Sequence, residues 1–369
     1  MLGLIAVVLL VVHFTLKFWK VQKRRQLLPP GPPPLPVLGN LWELNFSIQE
    51  DKLHQIAKVY GNSFTLWMKE SPLIVLNGFS AVKDGFTTYP EDLSERPASP
   101  FYRDLAQGKE DDTFHRLMEV SFSFSAGGAP FKLYDLLPRI IRNVPGPHKK
   151  KFAPYAYVRS FVKEEIKIHK ANRTPGEPRD FIDCYLDQIE KNAEDPGSSF
   201  DEENMAQSIT DLFFGGSESS ATTMHWALLY MVAYPDVQAK VRKELEDVLG
   251  NSQTISYEDR ERLPYTNAVI HEIQRFSKVV PTTFRRCMRD TVLNGFPMKK
   301  GTSALFNLAS ALYDPKQWKN PQQFDPNHFL DKSGNFLNRE AFLQFGAVFF
   351  FYYVPGFRPK LFRFTIYYS

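Results

Sequence analysis

The sequence predicts a mainly α-helical protein with a minor β-sheet, an α+β fold, preceded by an N-terminal transmembrane anchor. Long segments in the second half of the chain repeat apolar residues at helical spacing. Two short β-prone segments near the start of the body are separated by polar residues and read as a hairpin. An apolar stretch over residues 2–16 opens the chain.

Composition excludes several classes of protein. The 369 residues include 45 basic and 41 acidic ones, and this net charge of +4 is too small to indicate nucleic-acid binding. Two cysteines, Cys184 and Cys287, are too few for a disulfide framework or a four-cysteine zinc site, and no metal-ligating set is predicted. The length allows two or three domains, or a single large one.

Residues 1–19 are interpreted as a membrane anchor at the short limit for a bilayer span. The basic residues Lys17, Lys20, Lys23, Arg24 and Arg25 favour a cytoplasmic position for the following chain. The alternative is a cleaved signal peptide, which needs small residues at the cleavage site, whereas Lys17–Lys20 is bulky and charged.

Residues 20–36 combine this basic stop with a proline-rich segment, Leu28–Pro36. Successive prolines fix φ and disfavour helix, so a stiff hinge that lifts a domain off the bilayer is predicted. The alternative is a ligand for a small adaptor domain.

The body is predicted to be helix-dominated. Helices are expected over residues 51–60, 112–120, 155–170, 181–192, 201–234, 236–249 and 263–276. Phe64–Met68 and Leu73–Leu76 predict the β-hairpin, and Thr291–Ala304 predicts short strands and turns. Pro145–His148, with the lysine run that follows, predicts an exposed turn; the lysines are solvated or, alternatively, contact anionic lipid. Trp318–Phe329 is expected to be coil.

Two motifs could carry chemistry. Glu272 and Arg275 lie three residues apart and share a helix face among apolar neighbours, which indicates a partly buried ion pair; an exposed pair is the alternative. Gly215–Ser219 lies inside the longest predicted helix, where glycine is unfavourable. Either the helix packs closely there, or a widened turn holds a small ligand beside Glu218 and Ser219, which would then relay protons.

Together these motifs resemble those of the cytochrome P450 (haem-thiolate monooxygenase) superfamily, in its vertebrate microsomal branch. The resemblance extends from Pro29–Pro32 to about Phe345. It implies that Glu272, Arg275 and His328, in Pro326–Phe329, form the family's conserved ion network. It likewise implies that Gly215 and Gly216 belong to the oxygen-binding motif and that Arg286 binds a haem propionate. Haem is the expected cofactor, with Glu218 and Ser219 as catalytic residues.

The chain departs from this family at the haem loop. Ala341–Ala347 begins that loop, but residues 348–369 contain no cysteine to ligate iron. Neutral aromatic and aliphatic side chains cannot replace the electron donation of a thiolate. Cys287 follows Arg286 without a glycine turn, Cys184 is interpreted as a small buried hydrophobe, and no histidine occupies the loop.

A second departure lies near residues 108–110, where segments that are distant in the family adjoin. No tryptophan is followed four residues later by arginine, so the family's Trp-x-x-x-Arg helix is missing. We therefore expect an incomplete cytochrome P450 fold over residues 37–347, with an internal deletion near 108–110 and a divergent tail over 348–369.

Two functions remain open. One is a monooxygenase on the cytoplasmic face of the endoplasmic reticulum, attached to the lipid bilayer by a single span, with a flavin-containing reductase and small hydrophobic substrates as partners. The other is a non-catalytic, membrane-tethered shortened isoform that binds ligands or partners. Because two parts of the haem site are missing, the sequence predicts an inactive chain.

Overall fold

The computed structural model describes residues 12, 15–16, 18–36, 38–44, 48–68, 71–88, 92–93, 143–144, 147–250 and 255–346, without the side chains of 147–157. Most of the anchor segment, the helix predicted over 112–120, the junction near 108–110 and the tail 348–369 lie outside these residues. The chain forms two compact units. We call residues 1–97 and 222–356 the first unit, and residues 98–221 and 357–369 the second unit.

The sequence predicts most of the described helices, but not Phe79–Thr87 or Leu308–Leu312. In chain order they are α1 Glu50–Tyr60, α2 Phe79–Thr87, α3 Pro147–Asn172, α4 Phe181–Lys191, α5 Glu202–Ala233, α6 Pro235–Leu249, α7 Pro264–Ser277 and α8 Leu308–Leu312. The turn predicted over Pro145–His148 is wrong at Pro147 and His148, which begin α3, because proline is compatible with the first turn of a helix. Within the described ranges, no helix combines the length and the apolar character that crossing a bilayer requires.

The first unit is built on a four-stranded sheet. Its strands are β1 Ser63–Met68, β2 Ser71–Leu76, β3 Thr282–Arg286 and β6 Ser303–Asn307, in the order β1-β2-β6-β3. The predicted hairpin is confirmed, since β1 and β2 pair antiparallel with Thr65 opposite Ile74. β2 pairs parallel with β6, and β3 pairs antiparallel with β6. A separate hairpin joins β4 Thr291–Leu293 to β5 Phe296–Met298.

The core of the first unit packs α1, α2 and α8 against this sheet. α1 buries Leu53, Ile56 and Ala57, which follow helical spacing along one face. On β1 and β2 most side chains are buried, as expected of strands covered on both faces. Helix α7 begins with Pro264 and ends before Lys278, whose left-handed backbone has φ 48°.

The second unit packs α3, α4 and the N-terminal part of α5. Its core is apolar and includes Val158, Val162, Ile166, Leu186 and Met205. Asp180 caps α4 by accepting a hydrogen bond from the backbone N–H of Asp183 at 3.1 Å.

Candidate functional site

The first unit contains an ion pair between Glu272 and Arg275 on α7. Arg275 Nε donates to Glu272 Oε2 at 2.7 Å, and an Arg275 terminal nitrogen donates to Glu272 Oε1 at 2.8 Å. Both side chains are 0% exposed, so the pair is more deeply buried than the sequence predicts. Such a pair is sustained only when its remaining donors and acceptors are also satisfied.

The remaining donors of Arg275 bind backbone carbonyls that are distant in sequence. They reach the carbonyl oxygens of Leu312 at 2.9 Å, Pro321 at 3.0 Å and Gln323 at 3.1 Å. The guanidinium carbon also lies 5.2 Å from the ring centres of Tyr313 and Trp318. Arg275 therefore fixes the segment after α8 against α7.

His328 joins this pair from the 3₁₀ turn Pro326–Phe329. Its Nδ1 lies 3.2 Å from Glu272 Oε1, and its Nε2 contacts the carbonyl oxygen of Lys319. Both partners are acceptors, so the doubly protonated imidazolium, in which both ring nitrogens donate, satisfies this geometry best. Burial alone lowers the pKa of His328, but the hydrogen bonds to Glu272 and Lys319 outweigh it and raise the pKa above its ordinary value.

The predicted trio Glu272, Arg275 and His328 is thus brought together in the structure. Glu272 Oε1 also accepts the backbone N–H of Asp325 at 2.8 Å. Every oxygen of the carboxylate is engaged, and all three side chains are buried. This arrangement cannot bind substrate or transfer a proton to it, but it can hold neighbouring segments in a fixed geometry.

The glycine motif lies in the second unit, within a continuous α-helical part of α5. Ser219 Oγ donates to the carbonyl oxygen of Gly215 at 2.5 Å. Of the two alternatives, the widened turn is not observed, because residues 215–219 are regular α-helix and the Ser219 hydrogen bond is compatible with that geometry. Close packing is not seen either: apart from the chain neighbours and the adjoining helix backbone, no atom of the described residues lies within 4 Å of a Cβ built on Gly215 or Gly216. Glu218 and Ser219 share this turn and are half-buried.

Arg286, predicted to bind a haem propionate, lies on β3 with its Nε 3.4 Å from the carbonyl oxygen of Gly301. Its neighbour Arg285 is more deeply buried, and its guanidinium lies 5.9 Å from the ring centre of Phe86. Phe86 in turn contacts Gly346, where a Cβ would lie 2.7 Å from the ring. Neighbouring residues of a strand lie on opposite faces, so Arg285 and Arg286 point to opposite sides of the sheet.

Residues 29–116 and 103–347 match the family "Cytochrome P450". The chain belongs to the cytochrome P450 family. It is 32% identical to cytochrome P450 2J5 of Mus musculus over 402 residues, which cover 86% of this chain and 79% of the relative. It is 31% identical to cytochrome P450 2C8 of Homo sapiens over 425 residues, covering 92% and 87%. Members of this family are haem monooxygenases that receive electrons from a reductase and act on hydrophobic substrates.

Within residues 255–346, the described side chains supply no thiolate that fits a haem-thiolate centre. The cytochrome P450 match ends at residue 347, and Cys287 is the one cysteine within the described range 255–346. Cys287 is 0% exposed in an apolar core with Ala304 and Met298. Burial, together with Asp92 and Asp290, raises the pKa of its thiol to about 11, so at neutral pH it is not a thiolate.

The loop that would approach haem is itself partly described. Gly346 adopts φ +78°, and its N–H donates to the carbonyl oxygen of Leu343 at 3.0 Å. Gln344 is buried, and its amide oxygen has no hydrogen-bond partner in the described part of the chain. An unpaired buried acceptor costs about 1–3 kcal/mol, so the polar groups of this loop are incompletely satisfied.

A second cluster of titratable residues lies in the second unit. Ligand atoms of His169, Asp180 and Asp183 lie within 4.8 Å of one another. His169 contacts Asp180 at 2.8 Å, while Arg179 donates to Asp183 at 2.6 Å. The hydrogen bond from Arg179 lowers the pKa of Asp183 to about 2. Arg179 thus already pairs with Asp183 and His169 with Asp180, and the cluster is explained by these contacts within the protein.

Proposed function

We propose that this chain is a membrane-tethered, non-catalytic relative of the microsomal haem monooxygenases. The observation that carries the proposal is the absence of cysteine from residues 342–369, where the family supplies its iron ligand. Thiolate donation is what favours O–O cleavage at the iron. Without a sulfur donor, Glu218 and Ser219 have no activated oxygen to which they could deliver protons.

The burial of Cys287 supports the same conclusion. Its backbone N–H donates to Thr302 at 2.9 Å, and its carbonyl accepts the N–H of Gly301 at 2.7 Å. Moving its sulfur to a haem face would break these hydrogen bonds and open the core of the first unit. Rearrangements of this kind cost several kcal/mol.

The interruption near residues 108–110 also supports the proposal. The two matched segments, 29–116 and 103–347, overlap at this position, as expected if intervening family sequence is missing. The missing part includes the Trp-x-x-x-Arg helix, whose arginine pairs with a haem propionate in the family. The chain would then lack this second contact to haem, and Arg286 would be the one predicted propionate ligand that remains.

The first 25 residues support placement at the membrane. The apolar segment and the five cations after it favour a single span with the bulk of the chain on the cytoplasmic face of the endoplasmic reticulum. The retained body would then bind hydrophobic ligands or protein partners. An active monooxygenase on the same membrane is the competing function.

Turnover in a reconstituted membrane tests the proposal. The full chain, a reductase, haem and a fatty-acid substrate are combined, and the oxidised product is measured. The matched control is a chimera in which residues 346–369 are replaced by the corresponding segment of cytochrome P450 2C8, which restores the cysteine. We expect no product from the natural chain. Product formed by the natural chain at the rate of an active relative would refute the proposal, and product from the chimera alone would locate the defect in the tail.

A further inference from the structure

An open groove of about 700 Å³ lies in the first unit beside the N-terminal helical residues 18–25. This volume is within the range of small-molecule sites. The helix contributes one wall, and β1 with the hinge contributes the other. Among the residues that line it are Trp19, Lys23, Arg25, Tyr60, Thr65 and Trp67.

The hinge is held firmly against β1. Thr65 Oγ1 donates to the carbonyl oxygen of Pro29 at 2.7 Å, and the Thr65 backbone N–H donates to Pro30 at 3.1 Å. A Cβ on Gly31 would lie 2.0 Å from the Thr65 carbonyl oxygen, so only glycine permits this approach. Arg25 donates to the carbonyl of Gly31 at 3.2 Å, and this hydrogen bond connects the N-terminal helix to the hinge. The groove is thus a built feature of the fold.

The charge of this region is one-sided. The sequence contains no Asp or Glu before Glu43, whereas five cations lie between Lys17 and Arg25. Arg25 donates to two neutral oxygens, Gln22 Oε1 at 2.9 Å and the carbonyl of Gly31, and Lys23 lies 5.4 Å from the ring centre of Trp19. Among the described residues that line the groove, none is acidic. Its cations therefore favour an anion.

The exposed apolar residues around the groove indicate where that anion resides. Leu16 is 63% exposed, Trp19 66% and Leu27 65%. Leu16, Trp19 and Lys23 share a helix face by their spacing, so apolar, aromatic and cationic side chains follow one another along it. This order is typical of a segment at the boundary between acyl chains and headgroups. A freely dissolved anion would not require the apolar residues.

We propose that this groove binds the phosphate-bearing headgroup of an anionic phospholipid. Lys23 and Arg25 contact the phosphate, and Trp19 lies at the level of the glycerol backbone. The inference rests on the proposed membrane attachment, and it adds a defined lipid site that fixes the first unit relative to the bilayer. Charge-assisted hydrogen bonds from Arg25 would make this site stronger than diffuse attraction to the surface.

Vesicle binding by the full chain tests the site. Affinity is measured for phosphatidylcholine vesicles with and without phosphatidylserine, for the natural chain and two variants. K23Q/R25Q removes two cations from the groove, and K20Q/R24Q removes two from the same helix outside its lining. Both pairs change the charge equally, so diffuse electrostatics weakens both alike. We expect K23Q/R25Q to bind phosphatidylserine vesicles roughly tenfold more weakly than K20Q/R24Q, from the charge-assisted bonds lost. Equal loss in the two variants would overturn the site.

A soluble probe separates this site from the anchor. Short-chain phosphatidylserine and inorganic phosphate are titrated into the detergent-solubilised full chain, with tryptophan fluorescence as the readout. We expect saturable binding of the lipid that K23Q/R25Q abolishes, and at least tenfold weaker binding of phosphate. Equal affinity for phosphate would refute a lipid site. If the chain ignores neutral vesicles yet binds the soluble lipid, the membrane attachment fails while the site stands.

Discussion

Glu272 accepts two hydrogen bonds from Arg275, three residues further along α7, and both side chains are completely enclosed. Because Arg275 also bonds to the carbonyls of Leu312, Pro321 and Gln323, this pair connects a helix to a long segment without regular structure. Breaking this ion pair is therefore expected to destabilise the first unit.

Replacing Glu272 with glutamine is expected to lower the free energy of unfolding by about 3–5 kcal/mol, because it leaves a buried arginine without its counterion. Thermal and urea unfolding of the detergent-solubilised chain measure the change. K299Q is the matched control: Lys299 pairs with Asp290 at 2.6 Å, but its side chain is 78% exposed. This control should change stability by at most about 1 kcal/mol, and equal losses in both variants would contradict this expectation.

The raised pKa of His328 predicts how stability depends on pH. Since the folded pKa exceeds the ordinary value of 6.5, the imidazolium stabilises the fold fully below that value. This contribution is lost as the pH rises through the folded pKa. The difference in unfolding free energy between the natural chain and H328Q should therefore be largest below about pH 6.5 and should shrink as the pH rises above that value. A difference that stays constant or grows with pH would show that the ring is neutral.

Two glycine-to-alanine substitutions should have opposite effects. In G31A the new methyl group would meet the carbonyl oxygen of Thr65, so we expect a loss of about 1–3 kcal/mol and faster proteolysis at the hinge. In G216A the methyl group enters open space within α5, and we expect a gain of about 0.5–1 kcal/mol. Melting curves and limited proteolysis of the two variants check both signs. A loss of stability in G216A would contradict this prediction and indicate that another group fills the space beside Gly216.

The thiols should differ in reactivity. Cys287 is enclosed and its pKa is raised to about 11, whereas Cys184 is only partly buried. In the folded chain a maleimide is expected to label Cys184 first and to leave Cys287 intact until denaturant is added. Mass spectrometry of the labelled peptides decides the order. Rapid labelling of Cys287 would mean that its sulfur is accessible.

Sequence patterns predict most of the helices, because segments such as α5 and α7 are long and repeat apolar residues at helical spacing. They do not predict β3, since Thr282–Arg286 shows no alternation of apolar and polar residues, and the strand forms by pairing with β6. The spacing of Glu272 and Arg275 predicts their pairing. Its complete burial depends on carbonyls that are 37 to 48 residues away, and no local pattern contains that information.

The candidate site likewise combines features that the sequence predicts with features that only the tertiary structure shows. The resemblance to the cytochrome P450 family predicts that His328 contacts the Glu272–Arg275 pair, although nothing in the local pattern of Pro326–Phe329 indicates such a contact. The sequence does not show whether Arg285 or Arg286 lies on the face of β3 that contacts Phe86. That orientation follows only from the pairing of the sheet. The enclosure of Cys287 likewise arises from tertiary packing.

The most direct test of the central claim is the carbon monoxide difference spectrum of the reduced, haem-supplemented full chain, with the chimera that restores the cysteine as reference. We expect the natural chain to lack the Soret band of thiolate-ligated haem, because no sulfur donor reaches the iron. A thiolate Soret band in the natural chain would contradict the account and would identify Cys287 or Cys184 as an unexpected ligand.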